Sequence, residues 1–333
     1  PEMLGRIFES LLSEEIDETS GTSKKKATGA FYTPREIVNY MCEQSVIEYL
    51  KNKIPESIDR NKRLEELIKL PETIFRDQDQ NKRRDWKPYS DLIIKALEGD
   101  GQKPLTILDP AVGSGAFPMG MLHLLTKIYG RLDPKYEKNI SKLKRSILSK
   151  SLYGVDIEQT AIEICRLRAW LSIIVDIPEG DLVEPLPNLD FKFTCANTLV
   201  ALEDDKQASL FEDQDLKQKL MVIRDEYFST SKKTKKQKLQ NEYESLTHRE
   251  DLFDTKRTKQ LKSYQPFDVG SSSSFYDPEL HHGVSTFDIV IANPPYLSEK
   301  DNAKIFKTVN ESQLGKLYHQ GKMNFWYYFL HFS

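Results

Sequence analysis

The sequence predicts an α/β fold, an open parallel sheet with helices on both faces. Three observations lead there. Four short apolar runs have strand length and composition: "LTILD" at 105–109, "LYGVDI" at 152–157, "FKFTCANTL" at 191–199 and "FDIVIA" at 287–292. Helical stretches with an apolar face, "PMGMLHLLTKIYG" and "EQTAIEICRLRAWLSIIV", separate the first three. That alternation gives right-handed βαβ units and a parallel sheet. Finally, Asp109, Asp156, Asn197 and Asn293 stand at the four strand ends. In an open α/β sheet those ends line one crevice.

The elements divide the chain into five regions. In region 1–50, Met3, Leu4, Ile7, Phe8, Leu11 and Leu12 have helical spacing. A polar stretch ending in Lys24–Lys26 follows. In "GAFYTPREIVNYMCEQSVIEYL", Thr33 suits an N-cap, Pro34 the first helical position and Glu36 the completion of the cap, with the helix running to about Leu50. Region 51–103 is charged and mostly helical in pattern, an insertion with Trp86 and Tyr89 in a loop. Region 104–200 holds the first three strands. In region 201–286, Leu216, Leu220, Ile223 and Phe228, then Leu239, Tyr243 and Leu246, flank a basic tip at 231–238. This predicts an antiparallel helical hairpin over 214–262. "GSSSS" at 270–274 has the composition of a flexible linker. Region 287–333 returns to the sheet.

Composition narrows the class. The chain has 333 residues, 38% hydrophobic and 30% charged, with net charge −3. A surface that grips nucleic acid everywhere is usually basic, so any polyanion contact here is expected to be local. The apolar stretch Trp170–Ile177 is too short to span a bilayer, and no secretory signal opens the chain. Cys42, Cys165 and Cys195 are odd in number and lack metal spacing, which fits reduced thiols in a cytoplasmic protein with no metal site. Pro1 in place of Met suggests an excised piece of a longer chain.

The strand ends carry the chemistry. Gly113 and Gly115 in "LDPAVGSGAF" allow close backbone approach to a ligand. No Gly-Lys-Ser/Thr follows, and the third glycine of the dinucleotide fingerprint is not at its place. The Asp109 carboxylate would repel a pyrophosphate and suits a ligand bearing a cationic amine, such as the methionine part of S-adenosylmethionine. Asp156 is placed to accept both ribose hydroxyls, and by itself equally fits a helix cap. Asn197 suits an adenine edge or a plain turn. In Asn293-Pro294-Pro295-Tyr296 two prolines remove two backbone donors and fix two φ angles. The chain leaves the sheet in a stiff turn with a carboxamide at its start and a ring at its end. Alone, that pattern is also an ordinary proline stop.

Together, "LDPAVGSGAF" and "FDIVIANPPY" resemble the amino-methyltransferases that methylate DNA bases from S-adenosylmethionine. "GAFYTPREIVNYM" resembles their N-terminal cofactor motif, and the motif order is similar to that of the γ-class adenine-N6 DNA methyltransferases. The opening "LGRIFESLL", the helical insertions and "QPFD…FYDPEL" resemble the Eco57I-like restriction-modification methylases, often fused to a nuclease. The resemblance implies a Rossmann-like methyltransferase sheet, truncated after about four strands, with an N-terminal helical region and a helical-hairpin insertion. It implies a cofactor site of Phe31, Tyr32, Thr33, Asp109, Pro110, Ala111, Gly113, Gly115, Asp156, Ile157 and Asn197. Phe31, Tyr32 and Thr33 would close over the methionine part, though Phe31 and Tyr32 also read as the apolar lead-in to a helix. Catalysis would fall to Asn293, Pro294, Pro295 and Tyr296. The implied partner is double-stranded DNA with the target base flipped out, with nuclease and target-recognition domains in the full-length chain. The last strands and the far wall of the base pocket would lie outside this stretch. It is therefore expected to bind cofactor weakly or moderately, and not to methylate DNA alone.

Three other readings stay open. The tetrapeptide also serves methyl transfer to cytosine N4, RNA or a glutamine side chain. A methylase fold can act as a non-catalytic DNA-recognition or assembly subunit. The Gly-rich turn can belong to a nucleotide-dependent enzyme. Assay of methyl acceptors, and titration with ATP against S-adenosylmethionine, discriminate among them.

Overall fold

The structure, a computed structural model, describes residues 7, 33–57, 59–70, 80–99, 101, 103–180, 189–203, 210–230, 232–248, 254–268 and 270–333. The helix expected over 2–16 (Ile7 apart), the Lys24–Lys26 run, Phe31 and Tyr32 lie outside the described residues.

Four parallel strands form one open sheet in the order β3-β2-β1-β4. They are β1 Ile107–Asp109, β2 Leu152–Asp156, β3 Phe193–Cys195 and β4 Ile289–Val290. Ile107 pairs with Leu152 on one side and Ile289 on the other, and Gly154 pairs with Phe193. The chain steps outward from β1 to β3, then crosses back to place β4 on β1's free side. A crevice opens at such a reversal, between the carboxyl ends of β1 and β4.

Both sheet faces are buried, so the strands read as apolar runs. Ile107, Leu152, Phe193, Ile289 and Ile291 enter the larger core, and Leu108, Tyr153 and Val155 enter a second one with Tyr276 and Val284. The larger core is roofed by α1 Arg35–Lys53, α2 Arg60–Lys69, α3 Gln80–Glu98, α4 Ala116–Leu132, α5 Ile140–Lys150 and α6 Gln159–Ile174. α1 lies so close on α4 that a Cβ at Gly120 would stand 2.6 Å from Val38 Cγ1. Positions 86 and 89, expected in a loop, lie within α3. Ile93 and Leu97 on the same helix are buried, and that packing outweighs the polar composition upstream.

The second insertion contains α7 Leu210–Ser229 and α8 Lys233–Thr247, so one helix ends and the next begins about where the spacing predicts. A third helix, α9 Lys256–Ser263, was not expected, and it packs on both arms. Leu220, Ile223, Leu239, Tyr243, Leu261 and Phe191 share a core of their own. The lysine-rich stretch is the first turns of α8 rather than a free tip. Lys236 Nζ lies 4.7 Å from the Tyr227 ring centre, and Tyr227 packs on Phe191, just before β3 begins. The cluster therefore sits toward the amino edge of the sheet, away from the crevice.

"GSSSS" is no flexible linker. Ser273 is buried, its N–H donates to Cys195 O at 2.9 Å, and its carbonyl accepts from Asn197 N–H at 3.0 Å. This stretch covers the outer edge of β3, with Ser273 Oγ donating to Phe275 O at 2.8 Å. α10 Pro278–His282 then leads into β4. After β4 come α11 Ala303–Glu311, α12 Gln313–Tyr318 and α13 Trp326–Phe332. Among the described residues no helix is long and apolar enough to cross a membrane.

Candidate cofactor and amine site

The turn after β1 is built from inside. Asp109 is 2% exposed, and its Oδ1 accepts Ala111 N–H at 3.1 Å. Val112 N–H donates to Val155 O at 2.9 Å, stitching the loop to β2. Gly113 N–H donates to Asp156 Oδ2 at 2.7 Å, and Gly115 N–H to Val112 O at 2.8 Å. Thr198 Oγ1 donates to Pro110 O at 2.8 Å, propping the loop from the β3 end.

Each glycine has its own reason. Gly113 (φ +51°) and Gly115 (φ +88°) are left-handed, which side-chain-bearing residues seldom adopt. A Cβ at Gly115 would stand 2.6 Å from Cys165 Sγ on α6, whereas nothing lies within 4 Å of a Cβ at Gly113. One glycine fits the loop onto the helix behind it; the other leaves room in front. Gly154 of β2 lies beneath the loop, where a Cβ would come 2.7 Å from Val112 Cγ2.

α6 braces the loop from behind. Arg168, only 6% exposed, donates from Nη1 to Ser114 O at 2.7 Å and to Ser114 Oγ at 3.1 Å. Cys165 and Arg168 are three residues apart, so they share one helix face. Sequence reasoning missed both, along with Thr198 and Gly154. Arg168 lies in the mostly apolar stretch Leu167–Ile174 of α6, which was the available signal.

Asp156 accepts two backbone donors, Gly113 N–H and, at 2.9 Å, Glu158 N–H. It thus both holds the loop and caps the approach to α6. Burial pushes its carboxyl above the ordinary value, the two N–H bonds oppose that, and the nearby Glu158 charge adds to it. Asp109 is raised well above the carboxylate range by burial, against the Ala111 N–H and with the charge of Asp156. Ile157, the next residue, is 65% exposed, an apolar platform at the crevice. Asn197 Oδ1 accepts Leu199 N–H at 3.2 Å, so its acceptor serves a turn.

On the other side of the crevice, Ile291 N–H donates to Leu108 O at 2.9 Å and carries β4's pairing up to the tetrapeptide. Asn293 Nδ2 donates to Thr33 Oγ1 at 3.0 Å. Thr33, expected to cap α1, gives no side-chain cap; Pro34 takes that position. Its hydroxyl instead anchors the carboxamide. With Nδ2 so used, Asn293 Oδ1 has no donor among the described residues. Pro294 and Pro295 are half-buried, and the Tyr296 ring is 53% exposed.

The crevice thus joins a glycine loop, an acidic strand end and an oriented acceptor. The Eco57I restriction-modification methylase family model matches residues 150–333, more than half of the chain. The chain belongs to that family. Its four-stranded sheet and helices agree with a methyltransferase fold. Two curated relatives are methyltransferases by name. One is a candidate type II restriction enzyme and methyltransferase, RM.MjaORFECS2P, of Methanocaldococcus jannaschii, 32% identical over 219 residues, covering 63% of this chain and 17% of that protein. The other is the adenine-specific methyltransferase BrxX of Escherichia coli, 26% identical over 170 residues, covering 49% of this chain and 12% of that protein. The chain spans less than a fifth of the length of either.

Proposed function

We propose that the protein transfers a methyl group from S-adenosylmethionine to N6 of adenine in duplex DNA, with the crevice between β1 and β4 as the site. The observation that carries this reading is the pairing of Asn293 with Thr33.

The loop suits an adenosyl ligand better than a nucleotide. The N–H groups of Ala111, Val112, Gly113 and Gly115 are taken by protein acceptors, and two carboxylates stand behind them. A phosphate there would meet few free donors, and it would oppose ionisation of the two buried carboxyls, which a cationic amine would favour. A ligand with a cationic amine and a ribose meets the opposite. Asp109, Pro110, Ala111, Gly113 and Gly115 would line the methionine side. Asp156 keeps lone pairs for ribose hydroxyls, since a carboxylate has about four acceptor sites. Ile157 would pack on the adenine ring, and Asn197 lies at its edge. Thr33, with Phe31 and Tyr32, would close the pocket. S-adenosylmethionine, when bound, supplies an electrophilic methyl on a sulfonium.

The amine of adenine is a weak nucleophile because its lone pair is delocalised into the ring. Asn293 Oδ1 and the Pro294 carbonyl would each accept one N–H. That holds the nitrogen with its lone pair directed at the methyl, and disperses the positive charge that develops on it. The prolines keep the carbonyl in place beforehand, so rate comes from positioning and electrostatics, with no strong base required. The exposed Tyr296 ring offers a stacking partner, which helps offset the few kcal/mol of extracting the base. The choice of adenine over cytosine N4 rests on the motif order and the adenine-specific relative. A nuclease and a target-recognition domain in the full-length protein are part of the same proposal, after the relative named as a restriction enzyme.

The test is an acceptor assay with methyl-labelled S-adenosylmethionine and unmodified DNA, RNA or protein, followed by nucleoside analysis. N6-methyladenine in DNA supports the proposal. Label in 4-methylcytosine, RNA or glutamine contradicts it.

A further inference from the structure

The segment following the tetrapeptide folds into a short ribbon. Phe325 N–H donates to Leu297 O at 2.8 Å, Ser298 and Asn324 form an antiparallel bridge, and Glu299 N–H donates to Met323 O at 3.0 Å. The ribbon is rooted one residue after Tyr296.

Its glutamate is turned inward. The Glu299 carboxylate accepts His319 Nε2 at 2.7 Å, Asn310 Nδ2 at 3.1 Å and Met323 N–H at 3.2 Å. Burial raises that carboxyl, but these donors outweigh it and hold it below its ordinary value. Asp301 accepts Ser298 Oγ at 2.7 Å. Three outward residues are basic, beside the exposed Asp301. Lys300 and Lys322 flank the Glu299–Met323 contact, each one residue further from the tetrapeptide, and Lys304 opens α11. All three are exposed and have no hydrogen bond or ion pair among the described residues.

Lys322 is held in an unusual backbone. Its φ is +53°, the sole left-handed non-glycine among the described residues. Glycine would be the ordinary choice there. The Glu299 lock on Met323 sustains the conformation, yet the lysine side chain has no hydrogen bond or ion pair among the described residues. A strained position with an outward cation points to something outside the fold.

We propose that this ribbon is the phosphate-contacting surface for the duplex engaged at Asn293–Tyr296. Lys300 follows Tyr296 by four residues, no more than about 14 Å of extended chain. The strand phosphates flanking a base at Tyr296 therefore fall within reach of Lys300 and Lys322. Glu299 is engaged within the ribbon, and on the outward face Lys300, Lys304 and Lys322 stand against the single exposed carboxylate of Asp301, which leaves that face net cationic. The lysines at the start of α8 lie toward the other edge of the sheet and do not face this crevice. The proposal rests on the reading that DNA enters here.

The test measures affinity of the protein for a duplex at several salt concentrations, in wild type and in the Lys300→Gln/Lys322→Gly variant. Glycine keeps the left-handed backbone while removing the charge. Each lost phosphate contact should reduce the log–log salt slope by about 0.9, so the double variant should lose about 1.8, equally on any sequence. S-adenosylmethionine affinity, measured in parallel, should not change. A Lys233→Gln/Lys235→Gln variant should keep the wild-type slope. A wild type that binds duplex with a slope the ribbon variant retains overturns the ribbon alone. A wild type that binds no duplex overturns the proposal together with the reading beneath it.

Discussion

Asn293 and Thr33, 260 positions apart, are joined by a 3.0 Å hydrogen bond from Nδ2 to Oγ1. The bond decides which end of the carboxamide faces the crevice. Thr33→Val keeps the shape and removes the acceptor, so the amide loses its preferred orientation. Turnover should fall about 10- to 100-fold, in line with the loss of one or two hydrogen-bond equivalents. Thr33→Ser should retain most of the rate. Steady-state kinetics of the two variants check this; equal turnover in Thr33→Val and wild type would remove Thr33 from the mechanism.

Asp156→Ala should weaken S-adenosylmethionine binding by about 1.5–3 kcal/mol, the range for hydrogen bonds to a charged group. Part of that loss comes from the loop, since Gly113 N–H loses its acceptor. Calorimetry reads it directly. Affinity unchanged in that variant would contradict the ribose assignment.

Gly115→Ala should be damaging for two separable reasons, the left-handed φ and the 2.6 Å approach to Cys165 Sγ. Removing the sulfur in Gly115→Ala/Cys165→Ala should recover part of the lost thermal stability, because only the backbone strain and milder contacts remain. Two independent losses that simply add would show that the loop does not rest on α6 at that point.

His281 and His282 of α10 are buried. His282 Nδ1 lies 2.8 Å from Phe191 O, and Nε2 of each ring has no hydrogen-bond partner among the described residues. Burial pushes His281 down to about 4, with hydrogen bonding and the charge of Asp277 opposing and nearby cations assisting. The unfolded chain then binds the extra proton between its ordinary pKa of about 6.5 and the folded value, so stability falls as pH drops through that window. His281 alone accounts for roughly 2 kcal/mol between pH 7 and pH 5. Thermal melts should show the loss, and His281→Phe should lessen it. Melting temperatures equal at pH 7 and pH 5 would contradict neutral burial.

The strand ends were legible because a short apolar run precedes each polar residue, and Asp109 and Asp156 do end β1 and β2. What escaped was tertiary. Thr33 has the sequence of an N-cap, but Asn293 competes for its hydroxyl from 260 residues away. The Ser-rich stretch has the composition of a linker, yet its backbone groups are recruited by the free edge of β3, which a sequence cannot reveal. Arg168 is invisible to motif reasoning because it acts on a carbonyl, that of Ser114, rather than on a ligand. Lys322 carries no signal except its φ.

Single-molecule sequencing of genomic DNA from cells producing the full-length protein, beside cells producing Asn293→Ala, tests the central claim. N6-methyladenine at a fixed sequence in the first and none in the second is the expected result, with S-adenosylmethionine affinity of the purified variant near wild type. Methyladenine persisting in Asn293→Ala, or a different modified base in the wild type, would contradict it.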